Sequence, residues 1–109
     1  MARDLFRYQC QKLLEAQFAL MAPHPEGEDK SFAFAFQYCK FAFMDFDPTL
    51  VKDKDASRWI ETIKRLMDTS NVQEKTDEGA WLNRARAMSL EEKSEFSLAV
   101  FELAGWFRG

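Results

Sequence analysis

Proline, glycine and histidine are scarce in this chain. Its 109 residues contain 3 prolines, 4 glycines and 1 histidine. An all-β protein needs frequent turns, which proline and glycine supply, so their scarcity argues against that class. A single histidine also leaves too few ligands for the usual zinc sites and for the paired Glu-x-x-His motifs of di-iron bundles. These absences favour a helical protein without a metal centre.

Long apolar runs and blocks of like charge are missing as well. No run approaches the roughly 20 apolar residues that span a bilayer, and the opening residues MARDLFRYQ are charged at once, unlike a secretory signal. The 15 basic and 18 acidic residues are spread along the chain, so no charged block steers it onto nucleic acid or an anionic membrane. We therefore expect a soluble cytoplasmic protein with neither nucleic acid nor membrane as its partner.

The residues that usually carry chemistry follow no known pattern here. Cys10 and Cys39 lie in apolar surroundings without a metal or redox spacing, which favours free thiols over a Cys10–Cys39 disulfide. The acidic stretch from Asp45 does not match a Ca²⁺-binding loop, because Leu50 stands where such a loop needs glycine. Gly-rich phosphate-binding loops are absent from the sequence. We predict no cofactor, no metal ion and no catalytic residue.

Phenylalanine is abundant, with 11 copies, and six of them fall in the stretch SFAFAFQYCKFAFMDFD at residues 31–47. The alternation of a β-strand holds from Phe32 to Tyr38 and then fails. A helical spacing of four, three, four and three residues runs without a break. The residues on this row are Phe32, Phe36, Cys39, Phe43 and Phe46. The spacing predicts a helix over residues 31–46.

A second apolar row lies nearly opposite the first on this predicted helix. It consists of Phe34, Tyr38 and Phe41, again four and three residues apart. A helix that is apolar on nearly all sides is normally buried on nearly all sides. Two interpretations follow: the other helices wrap this helix completely, or its second row contacts another chain.

Four further helices are predicted from apolar periodicity and capping residues. Asp55 and Thr76 are the expected N-caps of the third and fourth helices, and SLEE at residues 89–92 is a capping box that starts the fifth. The predicted ranges are 2–22, 56–69, 77–88 and 89–107. The expected fold is all-α: a single domain over residues 1–109, built as a compact bundle of four to five helices around the Phe-rich helix.

The same patterns assign residues to the core and to a possible interface. The predicted core residues are Phe32, Phe36, Phe43, Phe46, Trp59, Ile63, Leu66 and Phe101. The predicted interface anchors are Phe34, Tyr38, Phe41 and Trp106. Arg84 and Arg86 are expected on a solvated face, because the helix that follows them begins with acidic residues that would repel DNA.

The phenylalanine surplus has three interpretations that the sequence leaves open: a large core, an interface, or a pocket for an apolar ligand. Our leading hypothesis is a small helical protein-interaction or regulatory module that binds a protein partner, in particular a second copy of itself as a homodimer. The alternative is a helical bundle that binds a small apolar ligand. An enzyme ranks third and would need a carboxylate such as Glu95 or Glu102 as its general base.

Overall fold

The computed structural model describes residues 6–22, 24–70 and 77–109. Within these ranges all regular structure is helical, which confirms the predicted all-α class. The elements are α1 (Arg7–Met21), α2 (Glu28–Phe43), a short 3₁₀ turn (Pro48–Leu50), α3 (Lys54–Leu66), α4 (Asp77–Ala87) and α5 (Leu90–Arg108). The predicted start of the first helix at Ala2 and the predicted cap Thr76 lie outside the described residues.

The Phe-rich stretch is helical, but its helix begins and ends three residues earlier than the spacing predicted. Glu28 and Asp29 extend the first turn of α2, where their negative charge suits the helix N-terminus. At the other end, Met44 is extended (φ −68°, ψ 127°) and ends the helix, and Asp45 follows with a left-handed φ of 61°. Phe46 therefore lies in the turn, yet its ring still contacts Phe6, with centroids 6.0 Å apart.

The helix starts show which predicted caps are used. Ser89 and Glu92 form the predicted capping box: the Glu92 N–H donates to Ser89 Oγ at 3.1 Å, and the Ser89 N–H donates to Glu92 Oε1 at 3.0 Å. The prediction for α3 was two residues late, because Asp53 rather than Asp55 accepts the bond from the Ala56 N–H, at 2.9 Å.

The helices form a bundle in which α1, α2 and α5 each pack against two other helices. The α2 backbone packs against α1 and α4, and the α5 backbone packs against α1 and α3. Phe36 of α2 meets Phe96 of α5 edge to face, with ring centroids 4.9 Å apart. The Lys64 ammonium of α3 lies 5.9 Å from the centre of the Phe43 ring. The radius of gyration of 13.4 Å is that of a compact chain of this length, about 13 Å.

Most residues assigned to the core from sequence are inside the bundle. Phe36, Ile63 and Leu66 are fully buried, and Phe32 nearly so. Phe43, Phe46 and Trp59 are half-buried and packed against the core. Each of these seven side chains thus contributes to one continuous apolar cluster that reaches from α1 to α5.

Arg84 is not on a solvated face, as the sequence had suggested, but ties three helices together. Its Nε–H donates to the carbonyl of Leu66 at 2.7 Å, which satisfies a backbone acceptor at the C-terminal end of α3. Its Nη2 also lies 3.3 Å from Glu92 Oε2 at the start of α5. The hydrogen bond from the Ser89 N–H and the bond from Arg84 together lower the pKa of the Glu92 carboxyl from its ordinary value. Arg86, by contrast, is exposed.

Replacement of Arg84 tests this role. Arg84→Ala is expected to lower the free energy of unfolding by about 1.5–3 kcal/mol, because the Leu66 carbonyl and the Glu92 carboxylate both lose a charged donor. Arg86→Ala, two positions later on the same helix, is the matched control and should change stability by no more than about 0.5 kcal/mol. Urea unfolding followed by circular dichroism measures both. Equal losses in the two variants would contradict the assignment.

Candidate functional site

The second apolar row of α2 is partly covered by α1. Phe34, Tyr38 and Phe41 are each half-buried. The ring of Phe34 lies 5.2 Å from the ring of His24, and the Lys12 ammonium of α1 lies 5.9 Å from the centre of the Phe41 ring. The three side chains that the sequence proposed as interface anchors therefore lie partly in the contact between α1 and α2.

Trp106, the fourth proposed anchor, is also half-buried and packs against the core. Its ring centroid lies 5.7 Å from that of Phe6 and 5.1 Å from that of Phe107. Among the described residues, no ring contact joins Trp106 to the second apolar row of α2, so the four proposed anchors do not form one cluster of rings. The Phe34 end of that row lines a separate, smaller pocket of about 350 Å³ with Phe18 of α1, which is 67% exposed.

Phe101 differs from its assignment to the core. Its side chain is 40% exposed, whereas Phe96 and Phe107 on the same helix are buried. At about 100° per residue, Phe101 lies on the side of α5 opposite these two rings. The sequence could not distinguish the two sides, because α5 carries large apolar residues on both.

An open groove lies beside Phe101, between the end of α1, the start of α2 and the first half of α5. Its volume is about 700 Å³. Four of its lining side chains are large, apolar and exposed: Met21 59%, Leu90 79%, Leu98 59% and Phe101 40%. Isolated exposed apolar residues are ordinary on protein surfaces, but several around one groove indicate a contact surface.

The groove has an apolar floor and a side that carries a small ion-pair network. Phe32 and the small Ser31 of α2 are buried beneath it. Lys93 of α5 lies 3.4 Å from Asp29 and 3.7 Å from Glu28, and its ammonium is 5.7 Å from the centre of the Phe32 ring. These contacts fix α5 against α2, with one lysine shared between two carboxylates, so Lys93 is paired and the wall keeps one net negative charge. The contact that the groove offers is mainly apolar.

The groups considered for chemistry lie apart from one another. His24 Nδ1 accepts a hydrogen bond from the Glu26 N–H at 2.9 Å, which holds the imidazole in its loop. Cys10 and Cys39 are free thiols, as predicted, and burial raises the pKa of the Cys39 thiol. Glu95, one candidate base, is exposed and lies 2.8 Å from Arg65 Nη2. Among the described residues, no group of three or more His, Cys, Asp or Glu side chains is arranged to hold a metal ion.

Comparison with known proteins adds no relative to this picture. Neither a protein-family model, nor a curated protein, nor a solved structure matches the chain. In the described ranges, no helix combines the length and the apolar character that crossing a bilayer requires.

Proposed function

We propose that this protein is a cytoplasmic interaction module that binds another protein chain through an exposed apolar face, associates with itself as a dimer, and catalyses no reaction. The observation that carries the proposal is the clustering of Met21, Leu90, Leu98 and Phe101 around one open groove. Removing such surface from water is the main driving force of protein association, at about 25 cal/mol per Å² of apolar area.

Two further observations support this proposal. Lys93 at the groove wall is paired with Glu28 and Asp29, so a partner that covers the wall would not bury an unpaired lysine, which would be costly. Both cysteines are free, which suits a protein that works in a reducing compartment such as the cytoplasm.

Self-association is tested on the unmodified protein. We expect sedimentation equilibrium to show a reversible monomer–dimer equilibrium, with a dissociation constant of roughly micromolar order for a contact of modest area. Native mass spectrometry of the same sample should give the mass of two chains, without the additional mass of a bound small molecule. A chain that stays monomeric up to its solubility limit would overturn the proposed self-association.

The groove also keeps a second candidate function open. Its volume of about 700 Å³ is within the range of small-molecule sites, about 300–1,000 Å³. Ligand sites bury most of the ligand surface, whereas this groove is open along one side and its largest apolar side chains project from the rim. A monomer that carries a co-purified apolar compound in the native mass spectrum would favour this function over protein binding.

A further inference from the structure

The outer side of α5 carries a regular row of exposed residues. The buried side holds Phe96, Val100, Leu103 and Phe107. On the opposite side, six residues follow one another at steps of three, four, three, four and three. They are Glu91, Ser94, Leu98, Phe101, Gly105 and Arg108, and all six are exposed. We call these six residues the outer row.

The spacing of the outer row is that of helices that pair with another helix. Alternating steps of three and four residues keep one row of side chains facing a second helix over several turns. In the described part of the chain, no such helix lies against the outer row, because all six of its residues remain exposed. Ser94, Leu98 and Phe101 of this row also line the groove next to Met21.

The order of residues in the outer row is complementary to itself when reversed. Leu98 and Phe101 stand on either side of its midpoint, the small residues Ser94 and Gly105 come next, and the opposite charges Glu91 and Arg108 stand at the ends. These residues form three couples around the midpoint: Leu98 with Phe101, Ser94 with Gly105, and Glu91 with Arg108. When two copies of α5 pair antiparallel about this midpoint, each residue faces the other member of its couple on the second chain. Two-fold symmetry then forms every contact twice.

We propose that a second copy of this chain docks on the outer row, with its α5 antiparallel to the first. Leu98 packs against the partner's Phe101, Ser94 faces the partner's Gly105, and Glu91 pairs with the partner's Arg108, each of them twice. This arrangement rests on the self-association proposed above and names its surface and its geometry.

Charge selects the antiparallel orientation. Neither Glu91 nor Arg108 forms an ion pair within the part of the chain that the structure describes. A parallel pair in register would place each of these charges opposite its own copy, whereas the antiparallel pair places opposite charges together. The antiparallel pair also brings Glu95, at the flank of the outer row, close to Glu102 of the second copy. Arg65, 2.8 Å from Glu95, supplies the positive charge that offsets this repulsion.

Gly105 provides an independent argument for close approach of a helix. Glycine in a helix interior lowers the stability of the helix by about 1 kcal/mol relative to alanine, so a glycine at this position is unexpected unless its lack of a side chain is needed. Packing within the chain gives none, since a Cβ atom at Gly105 would meet nothing within 4 Å. Opposite the partner's Ser94, the missing side chain lets the two helices approach closely beside the larger Leu98–Phe101 contacts.

A charge-swap experiment tests the pairing. Glu91→Arg alone and Arg108→Glu alone should each raise the dissociation constant of the dimer about tenfold at low ionic strength, because like charges then meet at both ends. An equimolar mixture of the two variants should form a heterodimer of wild-type affinity, and so should the double variant Glu91→Arg with Arg108→Glu as a homodimer. Both substitutions oppose the helix dipole, so recovery in the double variant cannot come from a more stable helix.

The outcomes separate this inference from the proposed function. A wild-type dimer whose dissociation constant is the same in all variants would overturn the outer row as the interface, while self-association itself would stand. A wild-type chain without any dimer would overturn both. Sedimentation velocity over a concentration series measures every sample, and thermal unfolding confirms that each variant is folded.

Disulfide cross-linking tests the orientation directly. The background variant carries Cys10→Ser and keeps Cys39, which is buried and holds its proton. Ser94→Cys mixed with Gly105→Cys should cross-link under mild oxidation, because the antiparallel pair sets these positions opposite each other. Ser94→Cys alone should not, since its own copies then lie about 16 Å apart along the helix axis at 1.5 Å per residue. The reverse result would show a parallel pair and overturn the proposal.

Discussion

Phe36→Ala is expected to lower the free energy of unfolding by about 3–5 kcal/mol, a larger loss of stability than we expect for Arg84→Ala. Phe36 is fully buried in α2, and its ring meets Phe96 of α5 edge to face at 4.9 Å and Phe32 at 6.5 Å. Truncation leaves a cavity where two helices touch, and a domain of this size has only about 5–15 kcal/mol of stability in total. Urea unfolding monitored by circular dichroism measures the loss.

A matched aromatic residue provides the control. Phe18 of α1 is 67% exposed, so Phe18→Ala should change stability by no more than about 0.5 kcal/mol. If both variants lost similar amounts, α2 would not have the central place in the bundle that its packing implies. A small loss at Phe36 alone would mean that the core refills the cavity.

Leu98→Asp is expected to raise the dissociation constant of the dimer about hundredfold or more, because a carboxylate replaces a central apolar contact of the proposed α5 pair. The same change should leave the thermal unfolding temperature almost unaltered, since Leu98 is 59% exposed in the single chain. Sedimentation velocity gives the affinity, and differential scanning calorimetry under monomeric conditions gives the stability.

The rival surface is tested in parallel. Phe34→Asp combined with Phe41→Asp alters the α2 row, which the sequence alone proposed as the interface. Both rings are half-buried, Phe34 beside His24 of the loop after α1 and Phe41 beside Lys12 of α1. We therefore expect the double variant to unfold at lower temperature and, where folded, to dimerise normally. Loss of the dimer with intact stability in this variant, and not in Leu98→Asp, would move the interface to α2.

Local signals in the sequence predicted the helices well. The capping box at Ser89 acts within four consecutive residues, so its geometry follows directly from residue types. The start of α3 was predicted two residues late at Asp55, because Asp53 is an equally suitable cap residue and is the one that accepts the Ala56 N–H bond. The end of α2 was misplaced because the helix stops at Phe43, and neither Met44 nor Asp45 after it is the glycine or proline that commonly marks a helix end.

The contact surface was harder to predict, for a physical reason. The sequence shows that α2 and α5 each carry apolar residues on two sides, and periodicity cannot tell which side another helix will cover. Only the assembled structure distinguishes the sides. α1 partly covers the second row of α2, whereas all six residues of the outer row of α5 remain exposed. Phe101 was thus assigned to the core, and Leu98, Leu90 and Met21 were not among the predicted interface residues.

Residue order alone dictated that this chain coils into helices, because spacing, caps and the scarcity of turn formers act over a few neighbouring positions. Which apolar flank ends up against water was settled only when the helices assembled, since burial depends on partners that lie far away along the chain. The inward side of α5 and the open side bearing Leu98 look equally apolar until α1, α2 and α3 take their places around it.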